Sequence, residues 1–366
     1  MSTNLTIQQL LRIVFSFLPF AVCMFWTICY VIQYRKNDAP KHFLTIYLIA
    51  CMVLYLCHAL FFTIGLSYEM ECLWTLCSLS VYPLFYGYLC RLTSSDYSAK
   101  QLLPWLVPGA MVTLAKYIYP EAGIDKVRLL LFACQIVLVC FLGIRKLRTF
   151  DKELHSVYAD TDGRDTTAVM HLLIAIIIVS ILSGIANYIG KQYFGESLWL
   201  LIPISMAFSV MLFSLSYICF YRDFTIDQLN IDEDIEQTKE PPVHEDNEIT
   251  SKMEELMIEQ HYFLKKDLRI GDIVKAIGSN RTYVSNYINK TYNCSFSDYV
   301  NRLRIEYAQK LILSSRGTKL TQIAEDSGFA SEQSFYRNFK KFVGMTPSDW
   351  LSKVVKDNPA ATVQDS

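Results

Sequence analysis

The chain predicts an all-α protein in two parts, a seven-helix transmembrane bundle followed by an all-α domain built on a duplicated helix-turn-helix. Three observations lead there. Seven apolar runs succeed one another through the first 220 residues. Two similar helical units, each broken by a glycine turn, lie about fifty residues apart near the C-terminus. Between the halves, residues 223–249 hold ten acids against one base, Lys239, a composition that resists packing.

The apolar runs fall at about 13–34, 43–66, 71–90, 101–119, 129–144, 171–190 and 198–220. A helix needs roughly 20 apolar residues to cross the hydrocarbon of a bilayer. One such run could be a signal peptide, but six further runs argue against cleavage of the first. The fourth is broken by Pro104 and Pro108, and the fifth is short.

Loop charges orient the bundle. With the N-terminus outside, the inner loops hold Arg35, Lys36, Lys41, Arg91, Lys100, Arg145, Lys146, Arg148, Lys152, Arg164 and Arg222. The outer side holds Arg12, Lys116, Lys126, Arg128 and Lys191. That excess of inner positive charge expects residues 1–222 in a bacterial inner membrane with the C-terminus in the cytoplasm.

Polar groups at membrane depth are costly and often functional. His58, Lys116, Gln135 and Asn187 fall toward the outer third of their spans, near Glu69 and Glu71, with Tyr188 beside them. They are the candidate lining of an outward-facing signal pocket. The competing reading is that Lys116 snorkels to the interface and the amides join helices. Ten of the eleven cysteines lie in apolar runs without metal-ligand spacing, so they read as small hydrophobes. Catalytic signatures such as HExxH, GxSxG or a kinase-like glycine loop are absent from the sequence, and no cofactor is implied.

The near-neutral total of −1 hides two opposite segments. The acidic stretch 223–249 reads as a tether, spanning on the order of 30 Å as a coil. Its acids either repel anionic lipid or dock on the basic domain that follows. Residues 250–357 carry 17 Lys and Arg against 12 Asp and Glu. There, Val274 precedes Gly278 by four and Asn280 caps a helix over 281–290. Ala324 precedes Gly328 by four and Ser331 caps a helix over 332–341.

Helical periodicity turns Val284 and Ile288, and Phe335, Phe339 and Phe342, inward. Arg281, Thr282, Ser285, Asn286 and Asn289 then face out, as do Glu332, Gln333, Tyr336, Arg337 and Lys340. Amide, hydroxyl and guanidinium groups of this kind read base edges, and cations neutralise phosphate. An amphipathic helix over 296–313, striped by Tyr299, Leu303, Tyr307 and Leu311, would hold the two units apart. Entry into successive major grooves requires a separation of about 34 Å.

From about 250 to 355 the chain resembles the AraC-type DNA-binding domain. The resemblance rests on Ser295-Phe296-Ser297-Asp298-Tyr299, Arg304, Ala308, Leu311, Ile323-Ala324, Gly328-Phe329, Phe335, Phe339-Lys340-Lys341 and Gly344-Met345-Thr346-Pro347. It implies a seven-helix module with two helix-turn-helix units joined by a central helix. Thr282, Ser285, Asn286, Glu332, Gln333 and Arg337 are the readers it carries over. Asn293 stands where the family often has glycine, and Asn is the next-best residue for a left-handed conformation. Residues 358–366 read as a flexible tail.

The expectation is therefore a membrane-bound one-component transcription regulator, not an enzyme. Its expected partners are double-stranded DNA, membrane lipid and an unidentified small-molecule or envelope signal, and pairing of two copies would lengthen the recognised site. Two alternatives stand beside it: a transporter-like carrier with a regulatory domain, and a membrane scaffold whose helix-turn-helix domain binds protein.

Overall fold

The structure, a computed structural model, describes residues 6–33, 39–65, 67–120, 123–161, 166–221, 246–314 and 318–357, the side chains of 183, 186–196, 246–248, 355 and 357 excepted. Most of the expected tether and the tail at 358–366 lie outside the described residues. Regular structure among the described residues is helical, apart from one isolated antiparallel bridge between Tyr158 and Arg269. The chain divides into two units, Met1–Phe150 with Thr166–Gln228, and Asp151–Asp165 with Leu229–Ser366. The expected cut near residue 222 thus missed a segment. Residues Asp151–Asp165, read as a loop of the bundle, pack with the C-terminal unit instead.

The first unit contains α1 (Ile7–Ile32), α2 (Ala39–Thr63), α3 (Tyr68–Thr93), α4 (Ala99–Ile118), most of α5 (Ile124–Val157), α6 (Thr167–Glu196) and α7 (Leu198–Phe220). Five of them, α1, α2, α3, α5 and α7, are long and apolar enough to cross a membrane. Helix α4 has Lys100, Gln101 and Lys116 among its twenty residues, and in α6 the apolar stretch found is Thr167–Leu182. The fifth run proves longer than its apolar core because residues 145–157 contain neither Gly nor Pro and continue the helix.

Helix α3 lies at the centre, with every position from 81 to 90 buried. Its Phe85 and Tyr88 form the core together with Trp26, Tyr30, Leu44, Tyr47 and Leu215 from neighbouring helices. Phe25, Ile28, Val137, Phe141, Ile178 and Val210 point outward and are exposed. That exterior suits hydrocarbon, which demands that polar groups be satisfied internally. Accordingly Thr75 and Ser209 donate to carbonyls four residues back, at 2.9 and 2.7 Å. Tyr30 reaches across to the Ser216 carbonyl at 2.8 Å, tying α1 to α7.

In the second unit, α8 (Asp246–Glu254) and short π and 3₁₀ turns lead to α9 (Ile270–Ile277) and α10 (Arg281–Tyr292). The long α11 (Phe296–Ser314) follows, then α12 (Leu320–Asp326), α13 (Glu332–Val343) and α14 (Pro347–Asp357). Helix α11 serves two cores. Its first half lends Phe296, Tyr299 and Val300 to a cluster with Ile273, Val284 and Ile288. Its second half lends Ile305, Ala308 and Ile312 to a cluster with Ile323, Phe329, Phe335 and Phe339.

Arg304 sits where one cluster gives way to the other, with no solvent exposure. Its Nε donates to the Phe263 carbonyl at 2.7 Å, its Nη2 to the Lys265 carbonyl at 2.8 Å, and it lies 5.6 Å from the Phe329 ring centre. Burial draws its pKa down to about 10, and the carboxylates of Asp160 and Asp267 oppose that shift. It stays charged at neutral pH. Arg304→Met removes both donors and leaves two buried carbonyls unpaired, so it should destabilise the second unit by about 3 kcal/mol. Arg304→Lys should not restore the loss, because an ammonium lacks the planar fork. Hydrogen-exchange protection of α11 amides in the full chain measures both.

Candidate nucleic-acid interface and bundle cavity

Two helical pairs, α9 with α10 and α12 with α13, flank α11. Each second helix begins at a satisfied cap: Asn280 Oδ1 accepts from the Tyr283 N–H at 2.9 Å, and Ser331 Oγ from the Ser334 N–H at 3.0 Å. Gly278 ends α9 at φ 68°, and Asn293 ends α10 at φ 51°, both left-handed. Asn293 does what its side chain allows and glycine would do more cheaply.

The faces fall as periodicity predicts. Val284, Ile288, Phe335 and Phe339 are buried and Phe342 half-buried. On α10, Thr282, Asn286 and Asn289 are exposed, with Arg281 and Ser285 half-buried. On α13, Glu332, Gln333, Arg337 and Lys340 are exposed. Tyr336 is the exception. It is half-buried, its ring edge-on to Phe335 at 5.6 Å. Glu332 accepts from Thr321 Oγ1 at 3.3 Å, so α12 braces it. Tyr283, which periodicity left unassigned, is 41 % exposed on the first turn of α10. Its aromatic character, beside Thr282, was the signal available in the sequence.

Charged pairs away from these faces hold the frame. Lys341 Nζ bonds Asp298 at 2.5 Å, joining α13 to α11, and Lys265 Nζ bonds Asp272 at 2.9 Å, which raises the lysine pKa. Burial raises the Cys294 thiol, which keeps it protonated and unreactive.

The expected signal-pocket residues separate in the first unit. His58 lines a cavity of about 160 Å³ that draws residues from α1, α2, α3, α5, α6 and α7. Lys116 does not line it; it is buried in a cluster with Asp125 at 3.0 Å and Glu71 at 3.6 Å. This replaces the snorkelling expectation, because two carboxylates lie within reach. Gln135 is buried elsewhere, and its Oε1 has no hydrogen-bond partner among the described residues. The side chains of Asn187 and Tyr188 lie outside the described residues.

At one side of the cavity the Trp74 indole donates to His58 Nε2 at 3.3 Å, and His58 Nδ1 therefore donates to the Leu54 carbonyl at 3.0 Å. The Arg128 guanidinium lies 4.5 Å from the Trp74 ring centre, with Nε bonded to Asp125 at 3.1 Å. Ser16, buried in the lining, has a hydroxyl without a hydrogen-bond partner among the described residues. Tyr47, Cys51, Tyr55, His58 and Phe62 line the cavity from one helical face of α2. Their spacing near four was legible in the sequence as a stripe, though not as a cavity wall.

Comparison with known proteins bears on the C-terminal unit. Residues 273–353 match the family described as helix-turn-helix domain. Over 105 residues the chain is 32% identical to uncharacterized HTH-type transcriptional regulators of Staphylococcus aureus strains MSSA476 and MW2, a match covering 29% of this chain and 13% of each relative. Over 90 residues it is 31% identical to the uncharacterized HTH-type transcriptional regulator YtdP of Bacillus subtilis strain 168, covering 25% and 12%. The chain thus matches only about an eighth of the length of these curated relatives. No solved structure matches. The C-terminal part of the chain is a helix-turn-helix domain of the AraC type.

Gly328 carries the turn between α12 and α13 at φ 82°, and a Cβ there would lie 2.6 Å from the Leu264 carbonyl oxygen. Both the conformation and the backbone contact exclude a side chain. Gly328→Ala should destabilise the second unit by more than about 2 kcal/mol. A matched Gly278→Ala, whose added Cβ meets nothing within 4 Å, should lose only about 1 kcal/mol. Thermal unfolding of the two variants separates the effects.

Proposed function

We propose that this chain is a membrane-anchored transcription regulator, reading double-stranded DNA through two helix-turn-helix units and governed by a small apolar molecule bound in its bundle. One observation carries the reading. The second helix of each pair turns aliphatic or aromatic side chains inward and a row of amide, hydroxyl and cationic groups outward. Arg281, Thr282, Ser285, Asn286 and Asn289 on α10, with Glu332, Gln333, Tyr336, Arg337 and Lys340 on α13, are the contact set. Arginine forks and amides suit base edges, while Lys340 suits phosphate. The names of the relatives, HTH-type transcriptional regulators, point the same way.

The bundle crosses the bacterial cytoplasmic membrane seven times, with the N-terminus outside and the C-terminal domain in the cytoplasm. The excess of basic residues in the inner loops supports this. So does the packing of Asp151–Asp165 with the C-terminal domain, since a loop and a domain in one unit share one side of the membrane. The regulator needs neither a cofactor nor chemistry of its own, and two copies on one site would raise affinity.

The cavity sets the ligand class. About 160 Å³ is the size that accommodates a benzene-sized molecule in a protein interior. The lining is aromatic and aliphatic, with the Ser16 hydroxyl available for one hydrogen bond, and Arg128 is already balanced by Asp125. A single-ring or short-chain molecule with one neutral oxygen fits; a peptide or an entire phospholipid does not.

The chain in nanodiscs should bind mixed-sequence duplex DNA with strong salt dependence. Lys340→Ala should lower the salt slope by about one, and Arg337→Ala should cost about 1–3 kcal/mol at preferred sites. DNA binding insensitive to both substitutions sinks the assignment of the face. Phenol, as a monocyclic probe, should raise the unfolding temperature of the wild-type chain with the logarithm of its excess over Kd. Ser16→Phe, which fills the cavity, should abolish that rise; an equal rise in the variant rules the cavity out.

A further inference from the structure

The sequence offered the acidic tether as the segment that controls the DNA-binding domain. The structure points to another. Tyr158, Ala159, Asp160 and Thr161 follow the end of α5 and are 1, 0, 4 and 3% exposed. Inter-helix loops ordinarily run over the surface, because a buried one must find partners for its backbone. This one has them, within the second unit. The Ala159 N–H donates to the Leu268 carbonyl at 3.0 Å, and the Ala159 carbonyl accepts from Ser297 Oγ and Asn301 Nδ2, each at 2.8 Å. The Asp160 carboxylate accepts from Ser334 Oγ at 3.2 Å and from the Ala330 N–H at 3.4 Å.

These partners define a socket rather than a chance contact. Ser297 and Asn301 are buried on the first half of α11, bonded to each other, and Ser334 is buried on the inward side of α13 beside Asn338, which donates to its Oγ. A polar group in such a position is costly unless it is paired. The segment that pairs them supplies one carbonyl and one carboxylate, and it spans both cores. Asp160 also counters the desolvation that depresses the Arg304 pKa, so the socket holds the same seam that Arg304 holds.

Docking also touches the DNA face. Ser156, on the last turn of α5, accepts from Arg281 Nη2 at 3.2 Å. Arg281 opens α10 and belongs to the contact set proposed above. The docked stretch 151–160 holds Asp151, Glu153 and Asp160 against Lys152, an acidic load unfavourable to phosphate. Helix α5, which ends in this stretch, also contributes Arg128, Leu129 and Phe132 to the cavity lining.

We propose that residues 156–161 are an intramolecular clamp that docks across the seam of the DNA-binding domain and keeps it in a low-affinity state. The proposal rests on the DNA-binding reading. Occupation of the cavity shifts α5, the clamp leaves its socket, Arg281 turns to the DNA, and the two helix-turn-helix units adjust to the spacing of the grooves.

The test uses the full chain in nanodiscs with mixed-sequence duplex DNA at fixed salt, comparing wild type with Ser156→Ala and with Ser156→Ala/Asp160→Asn. Hydrogen exchange at the Ala159 and Ala330 amides reads docking independently. The single variant should bind DNA about threefold more tightly and the double about tenfold, with faster exchange at both amides. A synthetic peptide of residues 151–161 should reverse the gain of the double variant. Unchanged or weaker DNA binding alongside faster exchange overturns inhibition and leaves the segment a structural brace. Unprotected Ala159 and Ala330 amides in the wild type overturn docking itself. If no variant binds DNA while exchange shows a docked loop, the DNA-binding reading fails and the clamp's regulatory role fails with it.

Discussion

The C-terminal unit depends on one buried guanidinium. Arg304 occupies the position on α11 where the first core ends and the second begins, and its Nε and Nη2 donate to two backbone carbonyls of the segment before α9. A charge in such a place is expensive, and neighbours offset the expense: two carbonyls, the Phe329 face and the carboxylates of Asp160 and Asp267. The consequence is geometric. Residues 263–265 are held against α11, and Gly328 is then forced close to the Leu264 carbonyl. Each helical pair is thus referenced to the same few backbone atoms, which gives α10 and α13 a defined relation to one another.

The bundle obeys a different constraint. Its exterior is apolar, so hydroxyl and imidazole groups must satisfy one another or a backbone carbonyl inside. Thr75, Ser180 and Ser209 bond within their own helices, and Tyr30 bonds between helices. His58 is held in one tautomer by Trp74 and Leu54, so its ring is a fixed wall of the cavity. Against that background the Ser16 hydroxyl stands out, since it has no hydrogen-bond partner among the described residues.

Much of this was legible in one dimension. Apolar run length marked the helices of the bundle, and the spacing of Val284 with Ile288 and of Phe335 with Phe339 sorted the faces of α10 and α13. Caps at Asn280 and Ser331 and the left-handed Asn293 followed from short-range chemistry that does not depend on the rest of the fold. The pocket was less legible. His58, Lys116 and Gln135 share a depth along their helices, but depth says nothing about rotation about the helix axis, and rotation decides which side chains converge. Lys116 turned toward Asp125 and Glu71, while Trp74, which the sequence did not single out, bonds His58, and Arg128, counted with the outer-side charges, lies over the Trp74 ring.

The sequence by itself determined the helical class, the division into an apolar and a polar half, and the outward chemistry of α10 and α13. These are properties of periodicity, composition and capping, set within a few turns of chain. Tertiary structure alone decided that Arg304 is interior, that the cavity is built from six helices, and that residues 158–161 belong with a domain whose helices begin some ninety residues later. Those outcomes depend on long-range pairing of buried polar groups. A donor such as Asn301 or Ser334 states its need locally, but only the folded chain shows which distant carbonyl or carboxylate meets it.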